Sequence, residues 1–150
     1  MVTSFRMMTF IACALLVPAA SHAAQGLEIT MRAMPTPAQC NLELIVTNTG
    51  SVPLELKFNT AQRFDFYAKD QDQRIIWQWS NEMVFADALA QETLQPRESR
   101  LYKAQWSYVR NDTRCVKAGP YQLMGALTAQ PQNQYSKPQV IFVSPPKPAP

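Results

Sequence analysis

Histidine is almost missing from this chain: there is one, His22, and it lies in the N-terminal stretch. A Ser-His-Asp or Cys-His nucleophilic system, a histidine general base and a histidine metal site all need that residue inside the folded domain. Glycine is scarce as well. Gly26, Gly50, Gly119 and Gly125 are never clustered, so no glycine-rich loop is available to cradle phosphate. Cysteine is limited to Cys13, Cys40 and Cys115, too widely spaced for a metal knuckle. Beyond the N-terminus, charge or proline interrupts every apolar stretch before it reaches membrane-spanning length. A charge excess is also lacking: fourteen Lys and Arg stand against eleven Asp and Glu, which implies no nucleic-acid partner. These gaps exclude most familiar hydrolases and lead to an expectation of no enzyme, no catalytic residue, no metal and no cofactor.

What an enzyme would have left is a carboxylate pair, Asp70 with Asp72, or Asp65 on the preceding segment. Turn chemistry explains Asp70 and Asp72 better, and a calcium loop would want more oxygen ligands and a glycine where Gln73 and Arg74 follow.

Arg6 precedes an apolar run over residues 7–20, too short to span a bilayer, and Ser21-His22-Ala23 supplies small residues where a signal peptidase cuts. The expected organisation is a secretory signal at 1–23, one β-sandwich domain at 24–144 and a proline-rich tail at 145–150. The mature product is expected to be periplasmic or secreted, with no membrane insertion after cleavage. Loss of Cys13 would leave Cys40 and Cys115 in an oxidising compartment, which predicts a disulfide between them. Closing a loop of about 75 residues would contribute roughly 4 kcal/mol in the chain-entropy model.

From Gly26 onward the chain reads as short alternating runs separated by turn signals. Residues 27–32 alternate before the Pro35-Thr36-Pro37 break, and residues 42–47 end in Asn48-Thr49-Gly50-Ser51. Residues 54–58 follow Pro53 and are expected to neighbour 42–47. Residues 63–68 and 74–79 flank a polar connection and form the best hairpin. An irregular or briefly helical crossover is expected between Asn81 and Ala90, and strands at 99–107, 121–127 and 139–143. About eight short strands without interleaved helices favour an all-β, immunoglobulin-like antiparallel sandwich.

Two exposed segments could bind a protein. One covers residues 109–117, basic through Arg110, Arg114 and Lys117; the other covers 80–89 and presents Met83, Val84 and Phe85. The aromatic group Phe64, Phe66, Tyr67, Trp77, Trp79 and Phe85 is expected to pack in the core rather than form a stacking surface for carbohydrate or peptide.

An ordered set of motifs carries a resemblance. Val46-Thr47-Asn48-Thr49-Gly50 is followed by Pro53-Leu54-Glu55-Leu56, Gln62-Arg63-Phe64-Asp65-Phe66 and Trp77-Gln78-Trp79-Ser80. Further on come Phe85, Glu92-Thr93-Leu94-Gln95-Pro96 and Ala118-Gly119-Pro120-Tyr121. In this order the chain resembles the BsuPI-type intracellular proteinase inhibitor domains, which are small immunoglobulin-like sandwiches. Arg97 stands where that pattern commonly has glycine. The resemblance implies the fold and, as partner, a serine protease bound by protein-protein contact. The alternative is a non-catalytic structural or adhesive module of the cell envelope.

Overall fold

The computed structural model describes residues 26–130 and 133–144. The expected signal at 1–23 and tail at 145–150 lie outside the described residues. Ten strands run in chain order: β1 (Leu27–Pro35), β2 (Cys40–Asn48), β3 (Leu54–Phe58), β4 (Phe64–Lys69), β5 (Ile75–Gln78), β6 (Ala90–Leu94), β7 (Ser99–Trp106), β8 (Gly119–Leu127), β9 (Gln134–Tyr135) and β10 (Gln139–Val143). One 3₁₀ turn, Trp79–Glu82, follows β5 directly.

The strands form an immunoglobulin-like antiparallel sandwich, as the alternation implies. One sheet has the order β1-β2-β7, the other β10-β8-β4-β5 with β9 beside β8, and β3 pairs with β6. Sequence position alone misassigned one pairing. β2 is flanked by β1 and β7, so β3 takes β6 as partner instead of its neighbour in sequence. Asn48 accounts for the change of direction. Its buried amide donates to the carbonyls of Val52 and Leu94, both at 2.8 Å, and its Oδ1 accepts from Gly50 N at 2.9 Å. The side chain thus shapes the turn and fastens it to the end of β6.

Strand periodicity builds the core. Cys40, Leu42, Leu44, Val46 and Asn48 alternate inward along β2, and from the facing sheet come Phe66, Ala68, Leu123 and Leu127. The sheets approach so closely at Gly125 that an added Cβ would lie 2.5 Å from Leu44 Cδ1 and 3.3 Å from Phe66 Cε1. Gly125→Ala is therefore expected to destabilise the fold by about 1–3 kcal/mol through overpacking, measurable as a lower urea midpoint at unchanged slope. Trp106 lies at one end of this core, with Trp77 at 5.8 Å, Tyr108 at 5.4 Å and Tyr121 at 5.7 Å between ring centroids.

The hairpin expected across residues 63–79 is present as β4-β5. Asp70 makes its turn: Oδ1 accepts from Asp72 N and Arg74 N at 3.0 Å, and Arg74 pairs with both aspartates. Residual burial pushes the Asp70 carboxyl up, but hydrogen bonds from Arg74 outweigh it and hold the group below the usual carboxylate range. Asp70 and Asp72 are turn residues here, each engaged by Arg74. Among the described residues no group of three or more His, Cys, Asp or Glu is placed to hold a metal ion, and no helix is long and apolar enough to cross a membrane.

Candidate functional site

Two adjoining loops form the site at the outer end of β5. The first begins at the 3₁₀ turn, which is held from below by Asp65. This aspartate points to the outer side of β4, is only 1% exposed, and meets donors alone. Its Oδ1 accepts from Phe66 N at 2.9 Å and Ser80 N at 3.0 Å, while Oδ2 accepts from Ser80 Oγ at 2.6 Å and Gln78 Nε2 at 2.7 Å. Four donors on one carboxylate fix where the chain leaves the sheet. Glu82 closes the turn by accepting from Trp77 Nε1 at 2.8 Å.

Beyond the turn the backbone extends, with Met83 at φ −121° and ψ 156°. Met83 N donates to Ser80 O at 3.1 Å, and Ala86 O accepts from Ala61 N at 2.9 Å. The Phe85 ring lies 5.8 Å from Trp79, Trp79 stacks on Phe64 at 4.4 Å, and Phe64 stacks on Tyr102 at 4.9 Å. Phe85 is thus the last ring of a four-ring stack that begins in the other sheet. Between these fixed points Val84 is fully exposed at 101%, and Met83 is 43% exposed. Exposed apolar side chains on a backbone held at both ends make the segment ready for a partner rather than loosely extended.

The second loop, residues 109–117, is a small hairpin. Val109 and Cys115 form an antiparallel bridge, Val116 N donates to Tyr108 O at 2.9 Å and Arg110 N to Arg114 O at 2.9 Å. At its tip Asp112 pairs with both Arg110 and Arg114. The hydrogen bond from Arg114 is the main reason the Asp112 carboxyl is held well below the usual carboxylate range. Arg110, Arg114 and Lys117 line one side of an open cleft of about 530 Å³, with Asp70, Asp72 and Arg74 on the other.

Sequence reasoning located the two loops separately and missed the residue that joins them, Asn111. Its Oδ1 accepts from Gln78 N at 2.7 Å and Asn81 Nδ2 at 3.2 Å, and its Nδ2 donates to Gln78 O at 3.1 Å and Glu82 Oε1 at 3.3 Å. The amide pairs with the free edge of β5 as another strand would, and joins the hairpin to the base of the first loop. Met83, Phe85, Arg110 and Arg114 therefore belong to one end of the molecule, although Phe85 serves mainly as an anchor and both arginines already hold Asp112.

The expected disulfide is corrected. Both cysteines are free thiols, Cys40 buried and Cys115 exposed. Cys40 is closed in the core with its Sγ donating to Asn41 O at 3.7 Å, and Cys115 opens into the charged cleft. Burial pushes the Cys40 thiol up to about 11, against a lowering backbone hydrogen bond from Met34. Two results are expected: an alkylating reagent labels Cys115 in the native protein and Cys40 only after unfolding, and folding stability is lost as pH rises from the unfolded thiol value near 9 through about 11. The sign follows because the unfolded state releases that proton first. Cys40→Ala should flatten the decline, as read by urea unfolding at stepped pH.

Fold and site together define a small immunoglobulin-like sandwich that presents a buttressed loop pair at one end. The chain belongs to the BsuPI family, described as intracellular proteinase inhibitor, whose model matches residues 27–132. The family's description implies a proteinase partner and an inhibitor rather than an enzyme. It also corrects the expected location: a family described as intracellular points to the cytoplasm rather than to the periplasm or the medium. The ground for an envelope module falls with that correction. A comparison with curated proteins gives no match. Among solved structures, a β-glucosidase from Erythrobacter marinus is 13% identical with a TM-score of 0.44, covering 79% of this chain and 16% of that one. A β-glucosidase from Kluyveromyces marxianus in complex with glucose is 12% identical, with a TM-score of 0.43 and coverage of 79% and 14%. The sporulation control protein Spo0M from Bacillus subtilis is 14% identical at a TM-score of 0.44, covering 79% and 49%. The chain thus spans a small part of the glucosidases and about half of Spo0M.

Proposed function

We propose that this protein inhibits a serine proteinase by laying residues 83–89 across the enzyme's substrate cleft, with the 109–117 hairpin alongside. The observation that carries this reading is the contrast within the first loop: Val84 and Met83 are exposed while their backbone is held by Ser80, Ala86 and the ring of Phe85. A substrate-like segment binds tightly when the ordering cost has been met in the free protein, and Asp65 and Asn111 supply that order. Arg110, Arg114 and Lys117 would then face the rim of the enzyme, where charge acts mainly on the association rate and on partner choice. The domain responsible is assigned to residues 24–144.

The test is titration of subtilisin-type, trypsin-type, chymotrypsin-type and elastase-type proteinases with the purified full chain, followed by recovery of the chain and measurement of its mass. Stoichiometric inhibition with the chain intact is the expected result. A folded chain that inhibits none of the four, or that is consumed as substrate, contradicts the proposal.

A further inference from the structure

The contact loop also carries information about which proteinase it fits. Val84 is the most exposed large apolar residue of the segment. On one side Met83 N is bonded to Ser80 O, and on the other Phe85 rests on Trp79 and Ala86 O is bonded to Ala61 N. Fixing both neighbours of one residue leaves that residue's side chain as the part that projects furthest, and Val84 has all of its surface in water. Met83 is half-exposed, Leu89 lies at the far end of the segment next to β6, and the Phe85 ring is engaged in the four-ring stack. Phe85 cannot enter a deep pocket without leaving Trp79, and Met83 is less exposed than Val84. The Val84 side chain is short, branched and uncharged. It fits a shallow apolar pocket and leaves a long cationic or flat aromatic slot mostly unfilled. At the loop base Glu82 is paired with Trp77 Nε1 and Asp112 with Arg110 and Arg114, while Asp87 is exposed three residues beyond Val84.

Resting on the inhibitory function proposed above, we infer that Val84 is the side chain that enters the primary specificity pocket, and that the target is a proteinase selective for small aliphatic residues. The other exposed apolar side chains do not share this placement. Val140 and Phe142 stand on the outer side of the edge strand β10, with both backbone neighbours held in a regular sheet pairing.

The experiment compares the full chain with Val84→Arg and Val84→Asp against the elastase-type, trypsin-type and chymotrypsin-type enzymes. Because Val84 touches no core residue, thermal unfolding of both variants should match that of the parent chain, and this is checked first. The parent chain is expected to prefer the elastase-type enzyme. Val84→Asp should weaken that inhibition by about 100-fold or more, since a carboxylate would be driven into an apolar pocket. Val84→Arg should lose the elastase-type enzyme and gain the trypsin-type one. If the parent inhibits and both variants inhibit the same enzymes with unchanged constants, the assignment of Val84 is overturned while the inhibitory function stands. If the parent chain inhibits the subtilisin-type enzyme but none of these three, this inference falls while the inhibitory function stands; if it inhibits none of the four, both fall.

Discussion

Asp65→Ala is expected to remove about 3 kcal/mol of stability and to loosen the first loop in the same step. The substitution takes the acceptor from Phe66 N, Ser80 N and Ser80 Oγ and leaves Gln78 Nε2 with Ser80 Oγ alone, around a carboxylate that is itself 1% exposed. Each buried unmet donor costs on the order of 1–3 kcal/mol, partly relieved as the turn opens. Relief is what makes the effect informative: the turn that opens is the one that positions Met83, Val84 and Phe85. Amide exchange across residues 79–86 should accelerate well beyond the exchange of β2 and β8, and inhibition should weaken with it. Asp65→Asn should be milder. Its remaining oxygen can still accept from Ser80 N, and Ser80 Oγ can turn to accept from the new amide, so the principal conflict is with Gln78 Nε2. Equal exchange in the mutant and the parent chain across 79–86 would mean that the carboxylate does not hold the loop.

Trp106→Ala should be the most damaging single change, at about 3–5 kcal/mol, because it empties the centre of an aromatic cluster instead of its edge. Three rings lie against Trp106, and its Nε1 donates to Val109 O at 2.9 Å. Tyr108, one of the three, donates its hydroxyl to Thr36 O at 2.7 Å and occupies a positive φ of 60° at the entry to the 109–117 hairpin. A tyrosine stays in that backbone region only when its surroundings hold it there. Loss of Trp106 should therefore release the hairpin as well as weaken the core. Urea unfolding monitored by far-UV circular dichroism measures the first effect, and limited proteolysis after Arg110 or Arg114 the second. A loss below about 1 kcal/mol would mean that this aromatic cluster does not secure its end of the core.

The strands were legible because their signal is local. Alternation along residues 42–47 and 121–127 put the inward side chains on the correct faces, and the polar connection between Ala68 and Arg74 marked the hairpin. Pairing was less legible, since the partner of β3 depends on how Asn48 redirects the chain, and an asparagine in a turn looks the same whichever strand follows. The two loops could be found as polar or irregular stretches, whereas their junction could not. Asn111 carries the signature of a turn residue, and only the fold sets its amide against the edge of β5. Asp65 did leave a trace: a carboxylate between Phe64 and Phe66 is out of place on a buried strand, and its reason is the turn above it. Counting cysteines suggested a bridge that the fold does not show, because composition cannot tell a core thiol from one in an open cleft.

The most direct test of the central claim is amide hydrogen exchange of the full chain, alone and bound to a proteinase whose nucleophile has been blocked. New protection concentrated at residues 83–89, with a weaker effect at 109–117 and none on the outer side of β10, is the predicted result. Binding that protects the sheet edges and leaves residues 83–89 exchanging as in the free chain would contradict it.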